Sequence, residues 1–205
     1  MLKIQPHHIA LFFSLIFLTA CSTTSVKNSW KNPAFNQKNF QKVLVIGVHK
    51  EVGVRTEYES KLTNKLKSAG IDAISASTIK GLYGDRSKEQ VIEIVRRDGY
   101  DSVLVTKYQA LKQEEIYKPG YTEYQVIGYR GLFDPFYYNS MIEIHHPGYT
   151  IDRETLFLEV SLFETSEGQI VWRGVTASIN PSRNNVVDDV ITAITDKIKS
   201  AGIFN

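Results

Sequence analysis

Few residues in this 205-residue chain have the types and spacing for chemistry, and in each case the spacing argues against the chemistry. Ser77-Thr78-Ile79-Lys80 has the Ser-x-x-Lys form of acyl-transferring serine enzymes, and Ser182-Arg183-Asn184 matches their Ser-x-Asn. In those enzymes the nucleophile opens a helix, whereas Ser77 closes a strand-like stretch, and the Lys-x-Gly candidate, Lys118-Pro119-Gly120, comes before Ser182. The matches are read as coincidence. His145-His146 suggests a metal, but neighbours in an extended segment point to opposite faces, and only His49 remains outside the leading segment. Glu114-Glu115 and Asp188-Asp189 lack the facing geometry that paired acid and base carboxyls need, and read as solvated charge. Gly47 and Gly53 flank a strand-to-helix loop but give neither a dinucleotide fingerprint nor a phosphate loop. No catalytic residue, no metal and no cofactor is expected.

One stretch does carry chemistry. Met1 to Ala20 holds a single cation, Lys3, then an apolar block from Ile9 to Leu18 broken only by Ser14, and ends on small residues, which is the plan of a secretory signal. The block is too short for a membrane span, which takes about 20 apolar residues. Leu18-Thr19-Ala20-Cys21 has the form of a bacterial lipobox, and Cys21 is the only cysteine in the chain. The reading is a signal peptide over 1–20, with Cys21 carrying a covalent diacylglycerol and an N-acyl chain such as palmitate. Several acyl chains anchor stably where one would not. Ser22, rather than aspartate, follows the cysteine, which favours the outer membrane facing the periplasm over the inner membrane or the cell surface.

Removal of 1–20 leaves 23 basic against 22 acidic side chains, a net charge of +1. Nucleic acid binding needs concentrated positive charge, so it is set aside. With no second cysteine, no disulfide can form within the chain, and the core alone must hold the domain.

The elements follow from periodicity. Residues 21–41 are polar, with Trp30 and Phe35 as interruptions that could pin the end to the domain, and read as a lipidated tether. Lys42 to Val48 is a nearly continuous apolar run, the pattern of a strand covered on both faces. Tyr58, Leu62, Leu66 and Ala69 recur at helical spacing, Thr56 to Glu59 has the form of a capping box that starts the helix near Thr56, with Gly53 to Arg55 as an alternative earlier turn, and Gly70 ends the helix. Ile71 to Ser77 predicts a second strand. Ser87 with Gln90 predicts a capped second helix ending at Gly99, and Tyr100 to Tyr108 a third strand. Glu154 to Glu164 and Gln169 to Ile179 flank a Thr-Ser-Glu-Gly turn as a hairpin. A last helix starts near Asn184 or Asn185, buries Val187, Val190, Ile191, Ile194 and Ile198, and ends at Gly202. Lys-Ser-Ala-Gly-Ile occurs at both 67–71 and 199–203, which reflects the demands of two helix ends rather than a duplication.

Between these lies an insertion at about 112–152, holding seven of the eleven tyrosines, three prolines and four glycines. It is read as part β-hairpin and part irregular loop. Tyr117, Tyr121, Tyr124, Tyr129, Phe133, Phe136, Tyr137, Tyr138 and Tyr149 form the candidate interaction surface, since an aromatic ring with a polar tip suits a protein interface or stacking on sugars. A minor core beneath a long loop is the equal alternative.

The expected fold is thus an α/β domain over 42–205, an α+β sandwich with a mixed sheet of about five strands in the order β-α-β-α-β, insertion, β-β-α. That order, with Lys42 to Val48, Gly99 to Thr106, Leu158 to Glu164 and Gly168 to Gly174, resembles a group of envelope domains: the Tol translocation protein amino-terminal domain, the curli-secretion lipoprotein and the penicillin-binding-protein activator lipoproteins. The resemblance implies protein contact or assembly rather than catalysis. The expected function is a non-enzymatic, membrane-anchored interaction domain whose partners are the bilayer through Cys21 and an envelope protein. The alternatives are a peptidoglycan or polysaccharide binding module and a subunit of a secretion-type oligomer. Cells fed labelled palmitate should incorporate it into the wild-type chain and not into Cys21→Ala; label persisting in the variant overturns the lipobox reading.

Overall fold

The computed structural model describes residues 23–35, 40–83, 86–126 and 141–204. Cys21 and the signal segment lie outside the described residues, as do Tyr129, Phe133, Phe136, Tyr137 and Tyr138. Among the described residues, no helix is long and apolar enough to cross a membrane.

The elements run β1 (Thr24–Lys31), β2 (Lys42–Val48), α1 (Val52–Ser68), β3 (Asp72–Ser75), a 3-10 turn (Ala76–Thr78), α2 (Lys88–Asp98), β4 (Ser102–Lys118), β5 (Tyr121–Val126), β6 (Met141–His146), β7 (Tyr149–Glu164), β8 (Ile170–Ile179) and α3 (Val186–Ser200). The fold is α/β, as expected, but its main sheet has six strands rather than about five, in the order β1-β8-β7-β4-β2-β3, and β5 and β6 form a separate pair. β2 runs parallel to β3 and β4, while β7, β8 and β1 are antiparallel to their neighbours.

The apolar run of β2 has the physical meaning that its pattern suggested. Val43 and Val45 join one core with Leu104, Leu162 and Trp172 of the sheet, Leu62 and Leu66 of α1, and Ile191, Ile194 and Ile198 of α3. Leu44 and Ile46 point the other way, into a smaller core with Val103 and with Ile94 and Val95 of α2. Trp172 is 1% exposed and its indole lies across Gly174, where a Cβ would collide with the ring.

The largest correction is at the N-terminal end. Thr24–Lys31 is a strand on the edge of the sheet, not a tether, pairing antiparallel with β8 from Thr24↔Ser178 to Lys31↔Trp172 with an irregularity between Val26 and Asn28. Most of its side chains are exposed, so it carries no apolar period; main-chain pairing holds it, with Thr24 and Ser178 hydroxyls 2.7 Å apart and Lys31 Nζ donating to the Ala201 carbonyl. Phe35 does pin the connection, stacking on Phe40, which meets Phe204 edge-on.

The helix ends divide. Ser87 and Gln90 form the expected capping box, and Gly70, Gly99 and Gly202 all take positive φ at helix ends. α1 begins at Val52, so Gly53 to Arg55 are helical, as the alternative start has it, and the expected capping box at Thr56 to Glu59 does not form. Thr56 donates instead to the Ser77 hydroxyl. Glu59 turns inward, fully buried, and accepts from the Gly47 N–H (2.8 Å), the Ser75 hydroxyl (3.1 Å) and the Ser77 N–H (2.7 Å) and hydroxyl. Arg86, its side chain also buried, closes the network with an ion pair at 2.6 Å. One carboxylate thereby ties the end of β2, helix α1, strand β3 and the chain before α2 together. It also shortens the second strand: expected over 71–77, it stops at Ser75 because Ser77 turns back to Glu59.

Burial alone would raise the Glu59 carboxyl, but the hydrogen bonds from Arg86, Ser77 and Gly47 outweigh it and hold the group below its ordinary value. A depressed folded value stabilises the protein above the unfolded value of about 4.3 and loses that contribution as pH falls through the folded one. Glu59→Gln should therefore destabilise the domain by about 3–5 kcal/mol, because Arg86 is left as an uncompensated buried charge. Urea melts at pH 7 and pH 3.5 check both parts: the variant should lose less stability on acidification than the wild type.

Candidate functional site

β4 and β7 are much longer than the sheet needs. They pair continuously from Ser102↔Glu164 to Lys118↔Tyr149, apart from an irregularity at Tyr108/Ala110. β2 accompanies β4 only as far as Lys107, and β8 accompanies β7 only from Thr155. Beyond those points the two strands have only each other among the described elements, and they leave the sheet as a two-stranded arm. β5 and β6 follow, paired from Tyr121↔His146 to Val126↔Met141. What reads in sequence as a partly irregular insertion at 112–152 is, where described, regular antiparallel ribbon.

The join between arm and hairpin is built from a repeat that periodicity arguments pass over. Pro119-Gly120-Tyr121-Thr122 and Pro147-Gly148-Tyr149-Thr150 are the same four residues, placed opposite one another on the two strands. Each proline withholds an N–H from the ladder. The glycines let the backbones meet: a Cβ on Gly120 would lie 2.5 Å from the His146 carbonyl oxygen and 2.7 Å from the Gly148 nitrogen, and one on Gly148 would strike the Tyr117 ring. The result is a break between the two ladders, a Pro-Gly corner with a tyrosine following it on each strand. Searching the insertion for short exact repeats would have found it.

Of the nine expected surface aromatics, the four described ones, Tyr117, Tyr121, Tyr124 and Tyr149, are all at least 60% exposed. They surround the corner rather than packing a local core. Tyr117 shares a rung with Thr150 and Tyr149 with Lys118, so successive rungs place tyrosine on both faces of the ribbon. Tyr121 stacks on His146 with centroids 4.4 Å apart. His145 lies on the next rung, with Nδ1 3.3 Å from the Thr122 hydroxyl. Among the described residues no three His, Cys, Asp or Glu side chains gather as a metal set. The acidic doublets separate as well: Glu114 faces Arg153 and pairs with Lys112, Glu115 faces Asp152, and Asp188 bonds Lys61 at 3.0 Å.

A second feature, not legible in the sequence, is an apolar cleft of about 180 Å³ at the carboxyl end of β2 and beside Thr106 to Tyr108 of β4, beneath the first turns of α1 and α3. Val48, Val54, Leu156, Leu158, Val187 and Val190 form its walls. Its polar groups are mostly engaged. The Tyr58 hydroxyl and Thr106 Oγ1 are 2.7 Å apart, Arg55 Nη1 donates to the His49 carbonyl, and the Gly47 N–H is held by Glu59. Burial, then the nearby Glu59 charge, push the Tyr58 phenol far up against the opposing Thr106 hydrogen bond. It stays protonated at any physiological pH. The loop flanked by Gly47 thus offers no open phosphate cradle, and Gly53 lies inside α1. Ser77 of the Ser-x-x-Lys match is bonded to Glu59, and the Ser182 carbonyl accepts from Asn185 and Val186 as α3 begins.

No protein-family model matches this chain, and no curated protein matches it. Among solved structures it is similar to the PelC dodecamer from Paraburkholderia phytofirmans, at 15% identity over 89% of this chain and 99% of that one, with a TM-score of 0.46. It is also similar to lipoprotein GNA1162 from Neisseria meningitidis, at 14% identity over 78% of this chain and 99% of that one, TM-score 0.43. A third is a PDZ domain protein from Parabacteroides distasonis, at 8% identity over 96% of this chain and 40% of that one, TM-score 0.39. These are likenesses of backbone shape. Gly120→Ala and Gly148→Ala should each force the corner open while leaving both cores intact. Limited proteolysis should then cut faster within 119–148, with an unchanged melting temperature.

Proposed function

We propose that this chain is an envelope lipoprotein, lipidated on Cys21 and held at the outer membrane facing the periplasm, that works without catalysis as a protein-interaction or assembly domain. The observation that carries the reading is the arm. It projects from a well-packed sheet, shows four exposed tyrosines, and along its stem leaves one backbone edge of β4, and one of β7 outward of Glu154, without a described strand beside it. Free edges accept an added strand from a partner, and exposed tyrosine supplies contact area at low entropic cost. The resemblance to Tol, curli-secretion and penicillin-binding-protein activator domains agrees with a contact role.

A peptidoglycan or polysaccharide ligand is the competing reading, favoured by tyrosine rings open on both faces of the ribbon. A secretion-type oligomer that spans lipid with these strands is disfavoured. The stem carries Glu114 and Arg153 on one face and Glu115 and Asp152 on the other, and charge facing hydrocarbon is costly on either. No catalytic part is proposed for Ser77, Ser182 or the histidines.

Lys118 and Tyr149 share a rung, so replacing 119–148 with an Asn-Gly turn should close the hairpin without disturbing the sheet. In pull-downs from solubilised envelopes the shortened chain should lose its protein partners at an unchanged melting temperature. An unchanged partner set sinks the proposal, and arm-dependent co-sedimentation with purified sacculi would favour the glycan reading.

A further inference from the structure

We propose that the tyrosine-ringed corner docks in the headgroup zone of the same bilayer that holds the lipid anchor, so that the arm meets its partner at the membrane surface. The inference rests on the lipidation of Cys21 proposed above and adds to it a position for the arm.

The register of the sheet supplies the geometry. Thr24 lies opposite Ser178, Ser178 opposite Leu156, and Leu156 opposite Leu111. The first residue of β1 is therefore level with the root of the arm, three strand spacings from β4 and two from β7, or about 10–15 Å across. Thr24 is only three residues from Cys21, a span of at most about 10 Å. Had residues 21–41 been a free tether, the domain could have stood far from the bilayer in any orientation. With β1 in the sheet, the lipid enters beside the arm.

The arm leaves the level of Thr24 in the direction opposite to the course of β1. From Leu111 to Tyr117 it runs about 20 Å beyond the level of Thr24, farther than the three residues to Cys21 can reach. A domain anchored at Cys21 thus holds the corner within reach of the membrane surface. The side chains there suit that depth. Tyr117, Tyr121 and Tyr149 are exposed within a few rungs and on both faces, and tyrosine, with an apolar ring and a polar tip, is enriched at membrane interfaces. Charges on both faces of the stem keep the ribbon from passing through the hydrocarbon, and the paired prolines and glycines interrupt its ladder at this point. Because the described arm carries more carboxylates than cations, the contact depends on tyrosine rather than on attraction to anionic lipid.

The test uses the full lipidated chain in vesicles of phosphatidylcholine and phosphatidylethanolamine. A spin label is placed on Thr122→Cys, with Tyr124→Cys as a second site and Lys88→Cys on α2 as the solvent reference. Collisions with an aqueous nickel relaxant should be several-fold rarer at 122 and 124 than at 88. The triple change Tyr117→Ser, Tyr121→Ser and Tyr149→Ser should bring them up to the reference, while raising the salt should change little. A lipidated chain whose arm labels match Lys88→Cys overturns the docking and leaves the anchor standing, as does shielding that arises only when an envelope protein is added. A parent chain that itself takes up the thiol label has an unmodified Cys21, which overturns both.

Discussion

The antiparallel ladder between β4 and β7 is the interaction on which the rest of this structure depends. It is the seam of the sheet, joining the parallel half, β3-β2-β4, to the antiparallel half, β7-β8-β1. Its inner rungs are buried between helices, with Leu104 opposite Leu162 and Thr106 opposite Val160. Its outer rungs are the arm. The same hydrogen-bond pattern therefore serves as core at one end and as exposed stem at the other, so the arm inherits its direction and register from the packed sheet. A two-stranded ribbon is marginal on its own; this one continues strands already fixed by two cores.

Order in the arm and order in the core rest on different forces. In the core, apolar faces of α1 and α3 and of α2 close the two sides of β2, and the Glu59–Arg86 pair fixes the loops at its edge. That ion pair gives specificity of position more than net stability, since taking two charges out of water costs much of what their attraction returns. In the arm, backbone pairing and two opposed Pro-Gly steps do the shaping, and the side chains are left free to face outward. The packed sheet with its projecting ribbon is what the proposed contact role rests on, and the cleft beneath α1 and α3 has its polar groups largely satisfied from within.

The edge strand changes what the proposed anchor would mean for the domain. A polar tether would separate lipid and domain, so that only location would follow from the anchor. With β1 paired to β8, a lipid on Cys21 would link location and orientation through the few residues between Cys21 and Thr24. That linkage depends on main-chain hydrogen bonds along a strand whose side chains are mostly in water.

Legibility followed burial. The strand Lys42–Val48, the hairpin β7–β8, the helix α3 and the Ser87 cap were readable because burying one or both faces leaves a hydrophobic period, and because caps use few residue types. The composition of 112–152 singled out the arm, and the exposed positions of Tyr117, Tyr121, Tyr124 and Tyr149 agree with it. By itself the sequence determined the α/β class, most element positions and the chemical character of the surface. Only the tertiary structure decided that 24–31 is a strand, that Glu59 leaves a helix cap for Arg86, and that two Pro-Gly-Tyr-Thr segments meet at one corner. The physical reason is the same in each case: main-chain pairing and long-range polar contacts join residues far apart in the chain, and neither leaves a periodic trace in the residues themselves.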